Sequence, residues 1–327
     1  MSVPTGLHPS PRARPGLRLD LAAAIVLFAA LVVASLLVGV GDLGGAGGLQ
    51  LLVVSRVPRT LAAILTGAGL AIAGLVMQTL AKNRFVEPMT AGTGQAAGLG
   101  ILAMTILAPG ASIALKSLAA TVAAFAGTAL FLALVRRLPP TQPFLVPLFA
   151  IVYGGVVGAV TTAVAWETDL LQYLDIWTNG EFSAVMQGRY ELLWVNAAIV
   201  AAAWWVADRL TILSLGRDTA VGLGLNYAVM LQAGLAIVAL VAGVTVATVG
   251  AIPFVGLVVP ALVARRYGED VRAVLPIIAA GGAGLVLACD LLARVVRFPY
   301  ELPVGTVLAV VGAAVFLAVI FARPRQT

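Results

Sequence analysis

Long apolar runs recur along this chain, each long enough, at about 18 residues or more, to cross the hydrocarbon core of a bilayer as a helix. No other feature narrows the possible folds so far. Of the 327 residues, 61% are hydrophobic and only 10% are charged, with a mean hydropathy of +1.06. A water-soluble domain of this size needs far more polar cover, so the apolar surface has to be buried in lipid. The runs are continuous rather than alternating, which suits helices that satisfy their own backbone hydrogen bonds and excludes a β-barrel. The expected fold is an all-α polytopic membrane protein. Its single cysteine, Cys289, rules out an internal disulfide framework and most cysteine metal sites, and reads as a small buried residue on a membrane helix.

Ten spans fit the sequence, at about 19–40, 58–80, 90–108, 115–135, 144–166, 191–208, 228–249, 254–268, 273–296 and 303–321. Residues 1–18, with Arg12, Arg14 and Arg18 among Pro and Gly, read as a disordered cytoplasmic tail, leaving 19–327 as the transmembrane domain. The first apolar run is too long for the core of a cleavable signal peptide. His8, the lone histidine, falls in the tail and is given no metal or proton-relay role. An even number of spans puts both termini on one side. With the N-terminus in the cytoplasm, 14 of the 20 basic residues lie inside: Arg12, Arg14, Arg18, Lys82, Arg84, Arg136, Arg137, Arg209, Arg217, Arg265, Arg266, Arg272, Arg323 and Arg325. Arg56, Arg59, Lys116, Arg189, Arg294 and Arg297 lie outside, and this division obeys the positive-inside rule.

Two apolar stretches are interrupted in corresponding places of the two halves. One is Asn83-Arg84-Phe85-Val86-Glu87-Pro88, after the second span; the other runs from Gly250 through Pro253 and Gly256 to Pro260. Broken segments with weak internal symmetry point to a transporter built on inverted repeats. Asn83, Glu87, Pro88, Pro253, Gly256 and Pro260 are therefore the candidates for a broken-helix translocation pathway. Gly67, Gly69 and Gly74, with Gly92, Gly94, Gly98 and Gly100, read as close-packing helix faces. Ionisable residues deep in the spans, the mark of ion-coupled transport, are scarce. Asp290 reads as an ordinary i,i+4 pair with Arg294 at a helix end. Gln78 reads as neutral glue between helices. No phosphate-binding G-x-x-x-x-G-K-[ST] loop is present, so an ATPase, if one drives transport, is a separate subunit and this chain is not itself an enzyme.

Between two long spans lies a polar, glycine-punctuated segment, residues 215–227, containing Gly216, Arg217, Asp218, Ala220, Gly222, Leu223 and Gly224. Its patterning suits recognition by something outside the membrane.

Several motifs carry a resemblance. Arg56-Val57-Pro58-Arg59-Thr60-Leu61-Ala62-Ala63, Gly67 to Gly74 with Gln78, and Asn83 to Pro88 look like the opening signature of the iron-siderophore and vitamin B12 (FecCD-type) permeases of ABC importers. The likeness continues through the Gly224 loop, Phe254 to Pro260, Asp290 to Arg294, and Glu301-Leu302-Pro303-Val304-Gly305. It covers nearly all of residues 50–320. The resemblance implies ten membrane helices per subunit, a second permease subunit completing the pathway, two cytoplasmic ATPases and an extracytoplasmic substrate-binding protein, with no cofactor. In that family the arginines matching Arg56, Arg59 and Arg294 meet acidic residues on the binding protein, and the loop matching residues 213–227 forms the coupling contact with the ATPase, which implies two short helices with Gly222 and Gly224 allowing the tight turn between them. The sequence departs from the common pattern at Pro260-Ala261, where histidine usually follows proline. Residues 177–193 differ from the vitamin B12 version and are similar to permeases for petrobactin- or anguibactin-like catecholate siderophores. A ferric siderophore is the expected cargo, with vitamin B12 or haem as the alternative. An ion-coupled secondary transporter and a non-transporting receptor subunit are the readings from other classes.

Overall fold

The computed structural model describes residues 16–41, 44, 45, 47–139, 142, 144–268 and 270–321. His8, Arg12 and Arg14 of the expected tail, and Arg323 and Arg325, lie outside these residues. The first helix, α1 (Gly16–Leu37), begins inside the stretch expected as tail. It is followed by α2 (Gly48–Ala81), α3 (Thr93–Leu107), α4 (Ile113–Val135), α5 (Leu145–Glu167) and the short α6 (Leu171–Thr178). The second half holds α7 (Trp194–Trp205), α8 (Ala207–Ser214), α9 (Arg217–Gly222), α10 (Tyr227–Val249), α11 (Val255–Tyr267), α12 (Val271–Val295) and α13 (Val304–Phe321). The described residues contain no strand.

By length and composition, α2, α4, α5, α10 and α12 can each cross a membrane alone. Residues 191–205 and α8 make a sixth candidate, bent by 66°. The segments Ala22–Leu37, Thr93–Leu107 and Val304–Val319 are apolar but shorter. Sequence periodicity missed three things: the bend in the sixth expected span, the separate α6, and the start of α2 some way before the expected 58. That early start runs through a π-helical turn, Leu52–Arg56, just before Pro58, whose missing N–H interrupts the α-helical ladder inside α2.

Capping side chains fix where several helices begin. Ser112 accepts from the Leu115 amide at α4, Asn226 from the Val229 amide at α10, and Asp270 from Arg272 and Ala273 at α12. The long helices differ in how they are buried. In α2, 78% of the apolar window is enclosed by the rest of the chain, against 28% in α5, so α2 is the central post and α5 is left to face lipid or another subunit. Around α2 pack α12, α10 and α11.

Small residues permit this close approach. A Cβ built on Gly74 would lie 2.1 Å from the Gly256 carbonyl oxygen, backbone against backbone, where α2 crosses α11. Gly67 and Gly69 of α2 likewise meet Gly282 and Asn196. Gly98 does not share that role, since nothing stands within 4 Å of its position for a Cβ.

Candidate functional site

Three arginines gather at the end of the bundle where α2 begins. Arg59 donates from Nε and Nη2 to Asp290, the latter at 2.8 Å, and from Nη1 to Glu301 at 2.8 Å. Arg294 donates to the other Asp290 oxygen, to Ser35 Oγ at 2.8 Å, and to the carbonyls of Ser35 and Val38 at 2.9 Å. Arg56 gives its N–H groups to the carbonyls of Leu36 at 2.9 Å, Leu37 at 2.6 Å and Gly41 at 3.0 Å. These are the C-terminal carbonyls of α1 and the turn after it, groups a helix leaves unsatisfied. The cluster ties α1, α2, α12 and the segment before α13 into one knot.

Arg56, Arg59 and Arg294 were expected as outward charges for a partner protein. They are only 5%, 9% and 4% exposed, and most of their donors are spent inside the chain, the buried Nε of Arg294 being left without a partner. The expected i,i+4 pair of Asp290 with Arg294 at the end of α12 is present, and at 0% exposure Asp290 also meets Arg59, so that it lies between two guanidinium groups. Sequence reasoning passed over Glu301 as a site residue. The signal was available, because Glu301 is the only acidic residue after Asp290. Its side chain is 27% exposed, so it is the member of the cluster that solvent can reach.

The two interrupted segments meet in the interior. The amide of Phe254 donates to Glu87 Oε1 at 2.8 Å, and Gln78 Nε2 donates to the Gly256 carbonyl at 3.0 Å. Asn83, Glu87, Pro88, Gly256 and Pro260 are buried, and Pro253 is half-buried. As candidates for lining a pathway they are turned mostly into their own subunit. The two carboxylates buried among the described residues are engaged, Asp290 by arginines and Glu87 by the Phe254 amide.

The glycine-punctuated loop lies at the opposite end of α2, where a Cβ on Gly216 would come within 3.3 Å of Lys82 Nζ. It holds the single short helix α9 rather than a pair turning on Gly222 and Gly224. Ala220 is buried; Arg217, Asp218, Gly222, Leu223 and Gly224 are exposed, and Val221 and Leu223 present apolar side chains 54% and 61% exposed. Gly216 and Gly224 have φ of +104° and +81°, whereas Gly222 has no positive φ and nothing within 4 Å of its Cβ position. The two glycines expected to act alike are therefore distinct. Gly224→Val should strain the turn by roughly 1–3 kcal/mol and speed amide exchange across residues 217–227, while Gly222→Ala should leave both unchanged. Equal exchange in the two variants would refute the distinction.

Comparison with known proteins places this geometry. The sequence profile of the FecCD transport family matches residues 21–322. The petrobactin import system permease protein of Bacillus anthracis is 37% identical over 306 residues, covering 93% of this chain and 92% of that protein. The ferric-anguibactin transport system permease protein of Vibrio anguillarum is 40% identical over 267 residues, covering 82% of this chain and 85% of its own. Among solved structures, a chain reported as a metal-chelate type ABC transporter in an inward-facing conformation matches with a TM-score of 0.77 at 23% identity, over 95% of this chain and 100% of that one, which shows the shared fold. Motifs, helical architecture and near-complete coverage agree: this multi-pass membrane protein belongs to the FecCD transport family.

Proposed function

We propose that the chain is the permease subunit of an ATP-driven importer that moves a ferric siderophore across the cytoplasmic membrane, with ten spans and both termini in the cytoplasm. The observation that carries the cargo is the likeness to petrobactin and anguibactin permeases over most of the chain. A second permease subunit fits against the weakly covered α5, where Leu148, Ile151, Val152, Val156 and Val160 expose one apolar face. The loop Gly216–Gly224 is the contact for two cytoplasmic ATPases, with exposed Val221 and Leu223 as its apolar anchors.

An extracytoplasmic binding protein docks at the arginine end. Because Asp290 is enclosed, a docking carboxylate would reach Arg59 by displacing the exposed Glu301 rather than by meeting a free charge. Uptake of radiolabelled ferric petrobactin, ferric anguibactin and vitamin B12 by cells with and without this gene tests the reading. Loss of siderophore uptake alone is expected, with uptake abolished by ATP depletion and surviving collapse of the ion gradient. Loss of vitamin B12 uptake would overturn the cargo. Dependence on the gradient would overturn the energy source and favour an ion-coupled transporter.

A further inference from the structure

Two interruptions far apart in sequence are joined through one buried carboxylate. Glu87, 1% exposed, lies in the irregular stretch between α2 and α3. Its carboxylate accepts from the Phe254 amide and faces the first amides of α11, those of Gly256 and Leu257. The first amides of a helix are short of partners within it, and the helix dipole favours an anion there, although the Leu257 amide also donates to the Phe254 carbonyl at 3.2 Å. Phe254 sits at φ +69°, a left-handed conformation that a bulky residue holds only when its surroundings impose it. From the other side Gln78 and Gly74 of α2 grip Gly256. The preceding turn is strapped elsewhere: the Ala251 amide donates to the Trp177 carbonyl at 2.9 Å, and the Gly180 amide to the Ala251 carbonyl at 3.0 Å.

The same junction reaches the loop at the end of the bundle. Lys82, the residue that ends α2, holds its ammonium over Gly216, five residues before Glu87 in the chain. A displacement of the Gly216–Gly224 loop therefore reaches the α2–α3 junction as well as α8 and α10, against which α9 packs. From there Glu87 is the polar tie to α11.

We propose that Glu87 is a positioning residue for transport: its carboxylate latches the start of α11 to the α2–α3 junction, so that the two interrupted segments move as one body when the permease changes access. The proposal rests on membership of the transport family and not on the cargo. Burial makes it costly to leave the carboxylate or the Phe254 amide unpaired, which keeps the latch closed through the cycle.

The test uses the permease with its co-purifying subunits in lipid vesicles. Glu87→Gln keeps the size and an acceptor oxygen but removes the charge. Amide exchange over residues 252–260 is expected to rise about tenfold, and uptake of radiolabelled ferric petrobactin per folded permease to fall about tenfold while ATP hydrolysis continues. Glu87→Asp, which retains the charge on a shorter arm, is expected to recover part of both and covers the case in which the glutamine variant does not fold. A merely structural glutamate would lower the amount of folded permease without moving uptake per folded molecule, and that result, or unchanged exchange over 252–260, overturns the latch. Wild-type vesicles that fail to take up ferric petrobactin would count against the cargo reading instead, and the exchange measurement would still decide this proposal.

Discussion

Asp290→Ala is expected to deplete the folded permease more than any other single truncation in the chain. The substitution leaves Arg59 and Arg294 adjacent, buried and without the carboxylate that lies between them. Removing one partner from a buried ion cluster costs roughly 3–5 kcal/mol, because the remaining charge is neither solvated nor paired. Repulsion between the two guanidinium groups adds to that. Glu301 remains, but it bonds only the Nη1 side of Arg59 and is partly wetted, so it offers little compensation. Thermal melting of detergent-purified protein, followed as loss of the monodisperse size-exclusion peak, gives the measurement. A melting curve for Asp290→Ala that overlays the wild type would mean that the cluster contributes nothing to stability.

Gly74→Val is expected to have the second-largest effect, by a different route. The new Cβ would meet the Gly256 carbonyl oxygen at 2.1 Å and its Cα at 2.2 Å, both backbone atoms that cannot rotate away. Overpacking of this kind usually costs about 1–3 kcal/mol, and contact with backbone places it at the upper end. Moving α11 away from α2 also lengthens the bond from Gln78 to Gly256, so packing and polar loss fall on one joint. Gly155→Ala on α5, where nothing stands within 4 Å, is the matched control and should melt as wild type. Equal melting of the two variants would remove close approach as the reason for the glycine.

The apolar runs revealed the spans because a helix in lipid advertises itself through length and composition, and nine of the ten expected runs coincide with single helices. The remaining run, 191–208, breaks between Trp205 and Ala207, just before Asp208 and Arg209, and hydropathy carries no mark of the direction the chain takes there. The importance of Arg56, Arg59 and Arg294 could be read from their rarity and motif context. Their inward orientation could not, because it depends on Asp290 and Glu301 standing 231 and 242 residues from Arg59 and on carbonyls at the end of α1. The joining of the two broken segments was hidden for the same reason. Proline and glycine announce that a helix stops, whereas the link from Glu87 to Phe254 spans 167 residues and exists only in the folded chain. In the loop, equal-looking glycines proved unequal because φ is a property of backbone path rather than of residue type.

The attachment of α1 gives that helix a polarity that its uniform apolar sequence does not express. Arg56 and Arg294 seize carbonyls of its last turn and of the residues just beyond, and Ser35 bonds Thr60 at 2.8 Å, while Ile25, Val26 and Leu27 upstream lie more than half exposed. In the bilayer α1 is therefore held at the ion cluster and along Phe28 and Val32, which pack against the core, and upstream of these it is presented to lipid, like an oar resting in its lock.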